Sequence, residues 1–237
     1  MKLTPRLKAI ADAVSFRKVS DVGTDHGKIP VYLALNNKAD IIIASDINKG
    51  PVNSCLRNVK LFDVGDKVLC RLGGGLSVLS EREVESIIIA GMGGELISNI
   101  LNDNKNIAYS AEEIIMQPMN GIDKLRKYLY ENDFLIIDEF LAREDRRIYT
   151  IIKAKKGKME LNDETDLDIS PILEEKGGEL FDSFILKMKE KTDKVLKGIL
   201  ISKGEDTEKY KYYKKLAERL EKYEIKNNCW NYWENGT

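Results

Sequence analysis

The chain has 237 residues, 43% hydrophobic and 32% charged, with a net charge of −1, which suits one sizeable core plus a smaller appendage and excludes wholesale disorder. No apolar run approaches the roughly 20 residues of a membrane-spanning helix, and the N-terminus lacks the apolar stretch of a signal peptide. Cys55, Cys70 and Cys229 form neither a zinc pattern nor a disulfide framework, so a cytoplasmic protein without membrane or metal partner is expected.

Thr4-Pro5 reads as an N-cap followed by proline in the first turn, and Leu7, Ile10, Ala11 and Val14 recur at helical spacing, predicting a helix over 5–15. There follow a strand at 19–22, a helix at 29–35, a strand at 41–44, a helix at 51–61, and strands at 68–72 and 87–90. A helix at 95–101, a strand at 114–116, a helix at 122–130, and strands at 134–137 and 148–152 complete the series, the last two joined by a charged loop at 143–147. Continuous β-branched runs suit strands covered on both faces, and their alternation with helices predicts a parallel, doubly wound sheet. The last two strands have no helix between them and should form an antiparallel hairpin at the edge. The expected fold is therefore α/β and Rossmann-like.

Residues 154–168 are polar and read as a linker, placing the boundary between a first domain, 1–155, and a second, 156–237. Ser170-Pro171 restarts a helix that Gly177-Gly178 interrupts. Phe181, Ile185, Met188, Thr192, Val195 and Ile199 then follow a heptad-like spacing, 202–206 turns at Gly204, and Tyr213, Leu216, Leu220 and Tyr223 continue the seam. An antiparallel helical hairpin follows from that pattern. Residues 187–226 hold 13 Lys/Arg against 8 Asp/Glu, a basic segment on a mildly acidic body. Its densest run, Lys209, Lys211, Lys214, Lys215 and Arg219, is either a phosphate-contacting surface or a solvated helix face. Trp230, Tyr232 and Trp233 either stack on bases or pack against the protein.

Four expected strands end in something special. The first runs into Asp21-Val22-Gly23-Thr24-Asp25-His26-Gly27, and the second ends at Asp46, followed by Ile47. The third ends at Gly73-Gly74-Gly75, and the fourth at Gly91-Met92-Gly93-Gly94. Ligands of open α/β sheets bind at such carboxyl ends, glycine permits close backbone approach, and a carboxylate like Asp46 accepts hydrogen bonds from ribose hydroxyls. Asp25 stands where a dinucleotide fingerprint has glycine. It would repel a pyrophosphate but suits the positive sulfonium and ammonium of S-adenosyl-L-methionine, unless it caps the helix and points elsewhere.

Leu3-Thr4-Pro5-Arg6-Leu7, the Asp21–Gly27 loop, Asp46-Ile47-Asn48-Lys49-Gly50-Pro51, Arg71-Leu72-Gly73-Gly74-Gly75-Leu76, Ile89-Ala90-Gly91-Met92-Gly93-Gly94 and Met116-Gln117-Pro118-Met119 occur in order. Together they resemble the bacterial tRNA (adenine-22, N1) methyltransferase, or TrmK, family over residues 3–153. The resemblance implies a class I methyltransferase fold with S-adenosyl-L-methionine as cofactor and tRNA as substrate. It places Asp21, Gly23, Thr24 and Gly27 in the first cofactor loop and Asp46 and Ile47 at the ribose. Gly73 and Gly74 fall in the third cofactor cluster, Gly91 and Met92 flank the methionyl part, and Gln117-Pro118 falls in the substrate-side loop. The chain departs from the family at Gly74, where Asp or Asn is usual, and at Met119, where many relatives have Asn.

The implied chemistry needs no base, because adenine N1 is a neutral lone-pair donor, but the product ring is cationic. Asp25 and His26, the single histidine, are the first candidates near the reacting edge, with Gln117 and Pro118 beside them. Ala90-Gly91-Met92-Gly93 lacks the Asn/Asp-Pro-Pro-aromatic pattern of exocyclic-amine methyltransferases. Rival readings are an enzyme of the same fold on another RNA or protein, a non-catalytic RNA-binding relative, and an NAD-dependent oxidoreductase. Oligomeric state stays open, with a monomer as one reading.

Overall fold

The structure is a computed structural model, and it describes residues 1–202 and 207–223. The chain divides into two compact units, Met1–Leu161 and Asn162–Thr237. Gly204, Cys229, Trp230, Tyr232 and Trp233 lie outside the described residues, so the expected turn and the aromatic contacts are not addressed.

The first unit is built on seven strands: β1 (Lys18–Val22), β2 (Ile41–Asp46), β3 (Val68–Leu72), β4 (Ser86–Met92), β5 (Glu113–Pro118), β6 (Phe134–Glu144) and β7 (Arg147–Lys156). Their spatial order is β3-β2-β1-β4-β5-β7-β6. The first five pair in parallel, and β7 lies antiparallel to both β5 and β6. This is the doubly wound sheet with an edge hairpin that the apolar runs imply. Ile42, Ile43, Ile87, Ile88, Ile89, Ile114 and Ile115 are buried in its centre, because helices cover both faces.

The helices are α1 (Pro5–Asp12), α2 (Lys28–Leu35), α3 (Lys49–Leu61), α4 (Gly94–Asp103), α5 (Lys105–Ser110) and α6 (Ile122–Glu131). α1 stops short of the expected residue 15. Past its end, the Ala13 carbonyl accepts from Lys153 Nζ at 3.0 Å and Ser15 N donates to Glu113 Oε1 at 2.8 Å, drawing the chain onto the sheet. α5 was not expected, and the 143–147 loop shrinks to Asp145-Arg146 because β6 and β7 run on through their charged residues. The linker expected at 154–168 begins only after β7, and residues 164–167 form a 3₁₀ turn with a reciprocal cap between Asp163 and Asp166.

The second unit holds α7 (Pro171–Lys176), α8 (Glu179–Ser202) and α9 (Glu208–Glu221). Ser170 caps α7 and Thr207 caps α9. Phe181, Ile185, Thr192, Ile199, Leu216 and Leu220 are buried along the predicted seam, whereas Met188, Val195 and Tyr213 are half-buried. α8 and α9 run antiparallel: Lys189 Nζ donates to the Tyr223 carbonyl at 3.2 Å, and the Phe181 and Tyr223 rings meet edge-on at 5.7 Å.

Candidate active site

The sheet reverses its winding between β1 and β4, and ligands of such sheets bind at that switch point. A cleft of about 350 Å³ opens there, within the range of small-molecule sites. Its walls include Asp21, Gly23, Thr24, Asp25, His26, Ala90 and Gly91, together with Arg6, Leu7 and Met119.

The register brings the strand tips together. Val22 lies opposite Ser45 on β2 and Ile89 on β4, and Gly23 N and Thr24 N both donate to the Ser45 carbonyl at 2.8 Å. Asp46 is the next residue along β2. Its carbonyl accepts from Gly73 N at 2.9 Å, and its Oδ1 accepts from Asn48 N at 2.8 Å. Gly74 packs against Ile47, which is otherwise 71% exposed. Asp46, Ile47, Gly73 and Gly74 thus continue the row of tips begun by Gly23, beside the residues that line the cleft.

Two glycines are dictated by geometry. Gly23 has φ +76°, and a Cβ there would overlap Met92 Cε, so the loops after β1 and β4 touch. Gly91 has φ +78° and forms a bulge between Ala90 and Met92, where the β4–β5 register shifts. Bulges of this kind re-aim a chain next to active sites.

The electrostatics are uneven. Asp21 is 6% exposed, and burial raises its pKa to about 6, the Thr24 hydroxyl offsetting only part of that rise. Asp25 and His26 lie in the open, with side chains 78% and 48% exposed and Oδ2 and Nε2 3.4 Å apart. The His26 carbonyl accepts from Asn58 Nδ2 of α3 at 2.7 Å, which braces the loop from behind.

Gln117 is fully buried at the end of β5. Its Oε1 accepts from Arg6 Nη1 at 2.7 Å, and its Nε2 donates to the Pro118 carbonyl at 2.8 Å. Pro118 is buried, and its neighbour Met119 lines the cleft instead. Sequence reasoning missed Arg6 and Met119. A signal for Arg6 existed: a cation in the first turn of a helix opposes the positive end of the helix dipole, and so asks for an outside partner.

The basic run of the second unit is partly committed to its own fold. Lys211 pairs with Glu208 at 2.8 Å, and Lys215 with Asp163 at 3.1 Å. Arg219 bridges Asp166 at 2.6 Å and Glu174 at 2.8 Å. Burial opposes its charge, but these bonds more than restore it, so its pKa rises. Among the described residues, Lys209 and Lys214 carry no ion pair.

The chain is similar to known proteins along nearly its whole length. The family model described as methyltransferase domain matches residues 3–152. The tRNA (adenine(22)-N(1))-methyltransferase of Bacillus subtilis is 32% identical over 228 residues, 93% of this chain and 95% of that protein. A Streptococcus pneumoniae protein, named a candidate tRNA (m1A22) methyltransferase and solved with S-adenosyl-L-methionine, is 28% identical with a TM-score of 0.82, covering 93% of this chain and 98% of that one. M. capricolum TrmK, solved with S-adenosyl-homocysteine, is 25% identical with a TM-score of 0.75, covering 94% and 98%. With its methyltransferase domain matched and a curated relative aligned nearly end to end, the chain belongs to the tRNA (adenine(22)-N1)-methyltransferase family.

Proposed function

We propose that this chain transfers the methyl group of S-adenosyl-L-methionine to N1 of an adenine in tRNA, position 22 by its family. The observation that carries the reading is Asp21, a buried carboxylate in the switch-point cleft with a pKa raised to about 6. A buried anion without a cationic partner is costly, and a ligand that brings its own positive charge repays that cost. S-adenosyl-L-methionine brings an ammonium and a sulfonium.

The residues present fit this cofactor. Asp21 suits the ammonium, Gly91 leaves the backbone open to close approach, and Asp46 suits the ribose hydroxyls. Ile47 beside Gly74 offers an apolar flank for an adenine ring. When bound, the cofactor supplies the electrophilic methyl group. The chain's own work is alignment and charge. The target base must leave its stack to present its Watson–Crick edge. Asp25, exposed at the cleft, stabilises the positive charge that grows on the adenine ring, and His26 holds Asp25 from the side. Gln117 acts through Arg6, and Pro118 ends β5 just before Met119, which lines the cleft.

Lys209 and Lys214 of α9 are candidate phosphate contacts for tRNA. The reaction belongs in the cytoplasm, where cofactor and tRNA meet. Incubation with labelled S-adenosyl-L-methionine and unmodified tRNA, followed by nucleoside analysis, tests the reading. Label in 1-methyladenosine is expected; label in N6-methyladenosine, or none, refutes it.

A further inference from the structure

One cation lining the cleft has been given no ligand. Arg6 lies in the first turn of α1, where the helix dipole opposes its charge. The fold nevertheless holds it from three strands. Glu144 of β6 accepts from Thr4 Oγ1 at 2.8 Å and from Arg6 N at 3.3 Å, and sits 3.4 Å from Arg6 Nε. Gln117 of β5 takes Nη1 at 2.7 Å, and the Tyr149 ring of β7 lies beneath the guanidinium, 5.3 Å from its centroid. Nη2 has no hydrogen-bond partner among the described residues, and Arg6 lines the cleft. A guanidinium locked on three sides with one edge left over is a preorganised donor for an anion.

We propose that Arg6 grips the phosphate beside the adenosine whose base enters the cleft, so that it positions the flipped nucleotide. The inference rests on the tRNA methyltransferase reading above. Flipping swings the backbone around the extruded nucleotide, and a donor at the rim is needed to hold that geometry. The planar fork of Arg matches phosphate oxygens, and the support from Gln117 and Tyr149 limits the ordering entropy lost on contact. The cofactor's own carboxylate is the competing anion. Arg6 lines the cleft together with Asp21, so the cofactor titration below is what separates the two anions.

Arg6→Ala and Arg6→Lys in the full chain test the assignment through S-adenosyl-L-methionine titration, melting temperature, and kcat/KM for unmodified tRNA across a salt series. In Arg6→Ala, kcat/KM should fall about tenfold or more, the slope of log kcat/KM against log salt should flatten by about one, and cofactor affinity should hold. Arg6→Lys should restore the slope and much of the rate. A wild-type slope in Arg6→Ala overturns the proposal, as does loss of cofactor affinity, which would hand Arg6 to the cofactor carboxylate. Equal losses of melting temperature and rate in both variants would make Arg6 a strut and also overturn it. A wild-type chain inactive on tRNA would sink the underlying reading, a result distinct from any of these.

Discussion

Asp21→Asn separates the two demands placed on the cleft. In the free protein, burial raises the Asp21 pKa from 3.8 to about 6. A carboxylate whose folded pKa is raised costs stability when ionised. The cost is full above about pH 6, shrinks as pH falls, and is gone below about pH 4, where both folded and unfolded chains carry the proton. At about 1.4 kcal/mol per tenfold, the rise corresponds to about 3 kcal/mol at neutral pH. Asparagine removes the charge but leaves a buried amide to satisfy, so the net gain at pH 7.5 is expected at about 1–3 kcal/mol. Urea unfolding of both proteins between pH 4 and pH 7.5, without cofactor, reads the difference directly. The variant should be the more stable at pH 7.5, with the gap closing toward pH 4. Cofactor affinity should move the other way, by about a hundredfold, because a buried carboxylate–ammonium pair loses one partner. A gap that does not change with pH, or a variant less stable at pH 7.5, would refute the argument that Asp21 is an uncompensated buried charge.

Asp25→Ala should lower turnover by about a hundredfold while cofactor titration stays unchanged, and normal turnover would remove Asp25 from charge stabilisation. Gly23→Ala should abolish measurable cofactor binding, since the new Cβ is strained at φ +76° and strikes Met92; the Met92→Ala double variant relieves only the second fault, and full recovery would deny the first. Arg219→Ala strands Asp166 and Glu174 and should destabilise the second unit by about 3 kcal/mol, seen as an early melting step, with cofactor binding intact. Lys209→Ala with Lys214→Ala should flatten the salt dependence of tRNA binding by about two without moving that melting step; an unchanged slope would leave α9 without a tRNA contact.

The parallel half of the sheet was legible because buried strands cannot hide. β2 and β4 hold the continuous apolar runs 41–44 and 87–90, and the chain reaches a glycine or an aspartate at the tip of each of β1 to β4. The register then brought Gly23, Asp46, Gly73 and Gly91 to one edge, as their order along the chain suggested. The hairpin was harder. β6 and β7 carry Arg143, Lys153 and Lys155 inside the strands, which read as loop until cross-chain partners are known. Lys153, for one, pairs with the buried Glu113 at 2.5 Å. Arg219 misled for the same reason: a lysine-rich helix looks like one solvated face, and only the fold shows which cation is spent on Asp166 and Glu174. Gln117 lay within a recognised motif, yet its burial and its bond to Arg6, far away in sequence, depend on how α1 crosses the sheet edge.

The hairpin that closes the sheet has an effect beyond its own stability. Through Glu144 and Tyr149 it holds the first turn of α1, while Asp21, Gly23, Ala90 and Gly91 at the tips of β1 and β4 line the same cleft. Two separately braced jaws therefore meet at one crevice. On the proposed reading, sequence drift in the outer jaw would retune which nucleotide is admitted and leave the cofactor's seat on the inner jaw unchanged.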